Sequence, residues 1–397
     1  MVGVNYWPKR KAMYWWKHFS AAEVLEEFEQ IKELHIEAVR FSLLWEDFQP
    51  ERYRIDVKHM NNLEKVLQIA NDLQLRCVPT LFTGHMSGYN WLPHWALDLA
   101  AANNTRFPIV SNETVVDRGI KPLFGGDRDM VEAQLLQART LAGAFGQHPA
   151  ILFWDLGNES SNVDLPASEE QAAEWAVRLS EAIKGASGGA LVSCGLHAED
   201  LEQDRRLSPL TMSESNDFLC MHGYSIYSRW AKGPLDSDVC PFLNLVAESM
   251  GRKPVLFEEA GICTAAPGHA GHYVDVPTRA GLLHQYFAAE DDAAQYYEEV
   301  LHKLWNGGSL GMFAWCYADY DDALFGAPPC STHLHERTFG LVRADGSLKP
   351  AAEVLRAFGA QPRPLRRLPP AKLFASMDSW YRELPHSLTE RFAEYRA

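Results

Sequence analysis

The sequence predicts a single (β/α)8 barrel, and three observations carry that prediction. Apolar, β-branched or aromatic runs alternate with amphipathic helical patterns eight times along 397 residues, as parallel strands with crossover helices do. Two of the runs, Ile151-Leu152-Phe153-Trp154-Asp155-Leu156-Gly157-Asn158-Glu159 and Pro254-Val255-Leu256-Phe257-Glu258-Glu259-Ala260-Gly261, end in carboxylates, and parallel α/β proteins keep their chemistry at the C-terminal ends of strands. Connections after strands three, six, seven and eight are long while most helix-to-strand connections are short. That asymmetry belongs to a barrel whose site is built and roofed on one face.

The elements follow in order. Val2 to Asn5 reads as strand one, and Ser20-Ala21-Ala22-Glu23 as a capping box that opens a helix with Val24, Phe28, Ile31 and Leu34 on one face. Strand two is Ala38 to Phe41. A helix carrying Leu63, Val66, Leu67, Ala70 and Leu73 follows, then strand three from Arg76 to Phe82. From Thr83 to about Asp127, many Trp, Asn, Gly and Pro residues suggest an irregular segment, and a helix runs from about Asp129 to Phe145 ahead of the Ile151 strand. Ser168 to Gln171 caps a helix to about Ala186. Strands five and six are Ala190 to Cys194 and Phe218 to His222, with a helix around Phe242 to Met250 before strand seven at Pro254. A helix of about Ala289 to Asn306 precedes strand eight, Gly311 to Trp315, and a last helix starts near Pro350.

The barrel is expected to span residues 1–360. Residues 361–397 form a C-terminal extension: a Pro- and Arg-rich stretch, Pro362 to Pro370, then an amphipathic piece with Trp380, Leu384, Leu388 and Phe392. That piece should pack on the barrel or on a partner subunit, which makes a homo-oligomer possible. A net charge of −15 argues against nucleic acid or an anionic membrane surface, which need basic patches; Arg363, Arg366 and Arg367 are too short a cluster to change this. No run approaches the roughly 20 apolar residues of a membrane span. Seven cysteines in no paired spacing read as reduced thiols, and with a strand at the very start the expected location is cytoplasmic. With Trp 12, Tyr 14 and Phe 19 the chain is aromatic-rich. That suits a carbohydrate cleft, although large core side chains explain most of it.

Aligned strand tips bring together Asn5, Arg40, His85, Asn158, Glu159, His222, Tyr224, Glu259 and Trp315. The ordered set of Trp154-Asp155-Leu156-Gly157-Asn158-Glu159, Glu259-Ala260-Gly261, Arg40, His222-Gly223-Tyr224 and Trp315 resembles the retaining glycoside hydrolases of clan A. Family 5, with its cellulases, mannanases and β-mannosidases, is the nearest pattern, over about Val2 to Phe358. The resemblance implies a glycosidase that works by double displacement on an oligosaccharide, without cofactor or metal. Glu159 would be the acid/base and Glu259 the nucleophile. Arg40 and Tyr224 would contact the nucleophile, Asn158 would bind the sugar 2-hydroxyl, Trp315 would be the sugar platform, and His85 and His222 would be hydroxyl ligands.

Neighbouring strand residues point to opposite sides, so only one of Glu258 and Glu259 is expected to face the site. The family's nucleophile stands two before a glycine, which selects Glu259 and leaves Glu258 as a buried, paired carboxylate. Ser160 after Glu159 and Ala260 after Glu259 depart from the proline and the aromatic residue that many members carry there. The Phe257-Glu258-Glu259 run looks like the mannan-cleaving members, and the long loops suggest a pocket closed at one end. The expectation is therefore an exo-acting β-mannosidase, with an open endo-mannanase or cellulase cleft next. β-Glucosidase or β-galactosidase action would fit the same catalytic residues. A non-catalytic sugar-binding barrel is the alternative of another class, and both glutamates argue against it. Cys330, His333, His335 and Glu336, with His269 and His272 in another loop, have a spacing that could hold zinc, but paired carboxylates need no Lewis acid. The first four are expected in the roof of the sugar site.

Overall fold

A computed structural model describes residues 1–278, 281–362 and 377–397; most of the Pro- and Arg-rich stretch, including Arg363, Arg366 and Arg367, lies outside the described residues. Eight parallel strands close into a barrel in sequential order: β1 Val2–Asn5, β2 Ala38–Leu44, β3 Arg76–Thr83, β4 Trp154–Asn158, β5 Val192–His197, β6 Leu219–His222, β7 Val255–Ala260 and β8 Met312–Ala314. Helices α1 Ala21–Glu33, α2 Val57–Asp72, α3 Arg128–Phe145, α4 Glu169–Ser187, α5 Pro209–Ser213, α6 Val239–Gly251, α7 Glu290–Asn306 and α8 Pro350–Gly359 lie in the connections. Each of the first four starts on a side-chain cap: Ser20, Asp56, Asp127 and Ser168 accept from backbone N–H groups of the first turn, each worth about 1 kcal/mol. At Ser20 only half of the expected box forms, because the Glu23 carboxylate pairs with Lys11 at 2.5 Å instead.

Inside the barrel, Ala38, Val78, Phe153, Cys220, Leu256 and Phe313 form an apolar layer at the N-terminal end of the strands. Two residues further on, the same inward face carries Arg40, Thr80, Asp155, His222 and Glu258, all buried. The polar layer sits directly on the apolar one and positions the site.

The sequence reading needs correction at four places. Thr83 to Asp127 is not irregular: His85–Met86, Tyr89–Trp91, Ile109–Ser111 and Thr114–Val116 form a four-stranded sheet, and Leu97–Asp98 pairs with Gly119–Ile120. Strands of two or three residues are too short to show alternation. The loop after β7 contains a hairpin, His272–Thr278 with Gly281–Phe287, hidden by its exposed, mixed composition and Pro277. β5 runs on to His197 rather than stopping at Cys194, and Ile151 makes only an isolated bridge to Cys77 ahead of β4.

The loops after β3 and β8 are fastened together. Tyr89 Oη and Thr332 Oγ1 are 2.6 Å apart, and the Tyr89 and His333 rings pack edge to face at 5.2 Å. Gly88, at φ +74°, lies under the His333 ring, where a Cβ would come within 2.5 Å of Nε2. Helices α9 Met377–Arg382 and α10 His386–Arg396 put their apolar side chains on the barrel: Trp380 Nε1 donates to the Leu201 carbonyl, and Phe392 packs on Trp230 and Phe242. No helix among the described residues is long and apolar enough to cross a membrane.

Candidate active site

Arg40 is the hub. Its Nη2 donates to Asp155 Oδ2 and Asn158 Oδ1, both at 2.8 Å, and its Nη1 to Asn5 Oδ1 at 2.9 Å and Glu259 Oε1 at 2.5 Å. Nε lies 3.1 Å from Asp155 Oδ2 and 3.2 Å from Glu258 Oε1. Burial opposes a charge on the guanidinium, but Glu258, Asp155 and Glu259 outweigh it and raise its pKa further. One cation thus faces three carboxylates. The excess shows at Asp155, where burial and the Glu258 charge outweigh Arg40 and push the carboxyl up to about 6.

Glu258 and Glu259 both reach Arg40, although the alternation of a strand allows only one to face inward. The register of β6 against β7 slips between Met221 and His222, so that His222 pairs with Glu259. Glu258 occupies the inward position above Leu256, fully buried. Glu259 stands at the tip, where Tyr224 Oη donates to its Oε2 at 2.7 Å. Gly261 follows because the Trp315 carbonyl leaves no room for a Cβ there.

Glu159 directly follows β4 in the left-handed region at φ +48° and ψ +46°, a conformation that costs a non-glycine residue roughly 1–3 kcal/mol and is concentrated at functional sites. Its Oε1 lies 3.0 Å from His222 Nδ1, and its Oε2 accepts from Asn162 Nδ2 at 3.0 Å. Burial opposes charge on this carboxyl, but His197 and the hydrogen bond from His222 outweigh it and hold Glu159 below the usual carboxylate range. His222 is the counterpart. Burial opposes its charge, yet Glu259 and hydrogen bonds to Glu159 and Glu258 push it up to about 10.

Every residue singled out from sequence lies in this region, but His222 takes a different part from the one expected. It has no exposed surface, and its Nδ1 and Nε2 face Glu159 and Glu258 at 3.0 and 3.4 Å. It bridges carboxylates rather than meeting sugar hydroxyls. His85 bonds Asn90 Oδ1 through Nδ1 at 2.9 Å, packs tilted against Phe107, and is pushed down to about 4 by burial, so it is neutral at pH 7. Asn158 donates one Nδ2 hydrogen to the His85 carbonyl at 2.9 Å. Trp315 is 4% exposed.

Sequence reasoning missed Asn162 and His197, whose Nδ1 is 3.9 Å from Glu159 Oε2. Reading β5 three residues longer would have found His197. Cys330, His333, His335 and Glu336, whose spacing could hold zinc, supply no three donor atoms within 4.8 Å of one another. Among the described residues, the one group of three His, Cys, Asp or Glu donors within 4.8 Å of one another is Glu159, His222 and Glu259.

The family model for cellulase (glycosyl hydrolase family 5) matches residues 4–293. The chain belongs to glycosyl hydrolase family 5. Among solved structures this family 5 member is similar to the exo-beta-1,4-mannosidase Op5Man5 from Opitutaceae bacterium strain TAV5, at 25% identity and a TM-score of 0.70, over 90% of this chain and 58% of that one. The chain therefore spans little more than half the length of Op5Man5. A GH5_18 variant from Streptomyces cattleya in complex with Manb1-4GlcNAc (19% identity, TM-score 0.76, 99% and 90% of the two chains) and GH5_18 from Bifidobacterium longum subsp. longum (21%, 0.71, 90% and 78%) share the fold. No curated protein sequence matches the chain.

For a family 5 glycosidase the spacing is informative. A carboxylate oxygen of Glu159 and one of Glu259 lie within 4.8 Å, close to the ~5–5.5 Å of retaining enzymes and short of the ~6.5–9.5 Å that leaves room for water in inverting ones. In retaining enzymes one carboxylate of such a pair attacks the anomeric carbon while the other protonates the leaving oxygen and then deprotonates the water that breaks the glycosyl ester.

Proposed function

We propose that this glycosidase is an exo-acting β-mannosidase that releases single mannose units from the non-reducing end of short β-mannosides. The observation that carries the reading is the fastening of the β3 and β8 loops through Tyr89, Thr332 and His333 over the strand ends. A polymer threaded through a cleft needs both ends open, and this closure favours a pocket. The choice of mannose is supported by the likeness to an exo-beta-1,4-mannosidase and by the Phe257-Glu258-Glu259 run.

In this reading the proton for the leaving group is shared across the 3.0 Å hydrogen bond between His222 Nδ1 and Glu159 Oε1. As Glu259 becomes an ester, His222 loses the largest of the charges that hold its proton, and Glu159 passes a proton to the departing oxygen. A cytoplasmic setting goes with the proposal, supported by seven cysteines that are all free and buried.

The test is hydrolysis of nitrophenyl β-mannoside, β-glucoside, β-galactoside and β-xyloside, alongside mannotriose, by wild type, Glu159→Ala and Glu259→Ala. The expected result is preference for the mannoside, with mannotriose cut first to mannose and mannobiose and the mannobiose then converted to mannose, and both variants inactive on mannotriose. Mannotriose uncut beside rapid internal cleavage of longer mannan would contradict the exo reading, and preference for another glycoside would replace the sugar.

A further inference from the structure

Beside Trp315, the loop after β8 forms a short 3-10 turn, Leu334–Thr338, that carries His335 and Glu336. The Glu336 carboxyl is 7% exposed and lies beside the Ser87 hydroxyl from the loop after β3 and the Trp315 indole. Glu336 Oε2, Ser87 Oγ and His335 Nδ1 are buried and none of them makes a hydrogen bond of good geometry, although Ser87 and Trp315 are near enough to favour the ionised form of the Glu336 carboxyl. His335 cannot supply a balancing charge, since burial pushes it down to about 3 and its Nε2 stays 3.5 Å from Glu336 Oε1. Burial together with the charges of Glu259 and Glu159 pushes Glu336 up to about 7, and Glu259 acts on it more strongly than Glu159 does. Tyr227 packs edge to face on His335 at 6.2 Å, and Tyr224, which donates to Glu259, packs on Tyr227 and Phe339, so the turn that carries Glu336 lies on the nucleophile's side of the site. A buried polar atom left without a partner is costly, and folded proteins keep few of them without a reason.

We propose that Glu336, with Ser87 and His335, is the specificity-determining wall of the sugar pocket, where its carboxyl group accepts a hydroxyl hydrogen of the non-reducing terminal pyranose. The ligand class is a hexose with free hydroxyls opposite its glycosidic bond. In an internal unit of a chain one such hydroxyl carries the next sugar and has no hydrogen to give, so the wall selects chain ends. The inference rests on the exo reading and explains it at the level of one side chain.

The test compares wild type, Glu336→Ala and Glu336→Gln on the nitrophenyl glycoside that wild type cleaves best and on its 3-, 4- and 6-deoxy analogues. Removal of one particular hydroxyl should lower wild-type kcat/KM roughly 10- to 100-fold, as loss of a hydrogen bond to a charged group does. Glu336→Ala should lose a similar factor on the parent sugar and no longer distinguish that analogue from it, and Glu336→Gln should recover part of the distinction. If Glu336→Ala fails to fold, Ser87→Ala must show a reduced distinction at the same hydroxyl. A folded Glu336→Ala that discriminates at every hydroxyl as wild type does overturns the proposal. Internal cleavage of mannan by wild type would remove the exo reading without altering these ratios, so the two failures are separable.

Discussion

The two layers inside the barrel are built by the same strands, two residues apart, and they are chemical opposites. Ala38, Val78, Phe153, Cys220, Leu256 and Phe313 fill the lower layer, closed off by Met1, Leu152, Phe218 and Leu310. The upper layer sets Arg40 against Asp155, Glu258 and Glu259, with His222 wedged between Glu159 and Glu258. Burying apolar area stabilises by roughly 25 cal/mol per Å², whereas buried ion pairs seldom repay their desolvation. The lower layer therefore holds the barrel closed, and the upper layer exists for chemistry. Substitutions should separate the two accordingly.

The sharpest separation is expected at Glu259. Glu259→Ala should lower kcat by at least about 10⁴-fold, as loss of the nucleophile does in other hydrolases. Its thermal midpoint should be unchanged or higher, because one of three carboxylates competing for Arg40 is gone. A large drop in stability, read by calorimetry, would mean that the upper layer is structural after all. Glu159→Ala should cost about 10²–10⁴-fold on mannobiose and less on a dinitrophenyl mannoside, whose leaving group needs little protonation; equal losses on the two substrates would contradict its role as acid. The reverse case is Phe313→Ala, which should destabilise by about 3–5 kcal/mol in urea unfolding while kcat of the folded fraction stays within about twofold. The smallest effect concerns pH. In the folded protein His222 holds its proton up to about pH 10, against an ordinary value of 6.5. Its contribution is therefore complete below about pH 6.5 and lost as pH rises through about 10. Unfolding midpoints measured from pH 7 to 10 should fall for wild type and for Phe313→Leu, and fall less for His222→Asn.

This contrast also marks how far the sequence could be read. The lower layer and the strands are visible as apolar runs between capped helices, and Glu159 and Glu259 are visible because strand tips carry the chemistry of this fold. The part taken by His222 is not. A histidine at a strand tip can point at a ligand or between carboxylates, and a register slip at Met221 and His222 decides it. The same slip lets Glu258 and Glu259 share Arg40, which strict alternation forbids. His197 stayed hidden because Gly195-Leu196-His197 lacks the β-branched signature that marks Val192 as strand. The roof sheet and the hairpin after β7 are set by contacts between loops, which local pattern does not encode.

The assignment of tandem Glu258 and Glu259 is the point on which the account turns, and one experiment addresses it directly. Wild type is incubated with a 2-deoxy-2-fluoro-β-mannosyl fluoride, which slows hydrolysis of the glycosyl ester, and is then digested and sequenced by tandem mass spectrometry. The account predicts a single fluoromannosyl ester on Glu259, with Glu258 unmodified. An ester on Glu258 would contradict it, and so would inactivation with the label on neither residue.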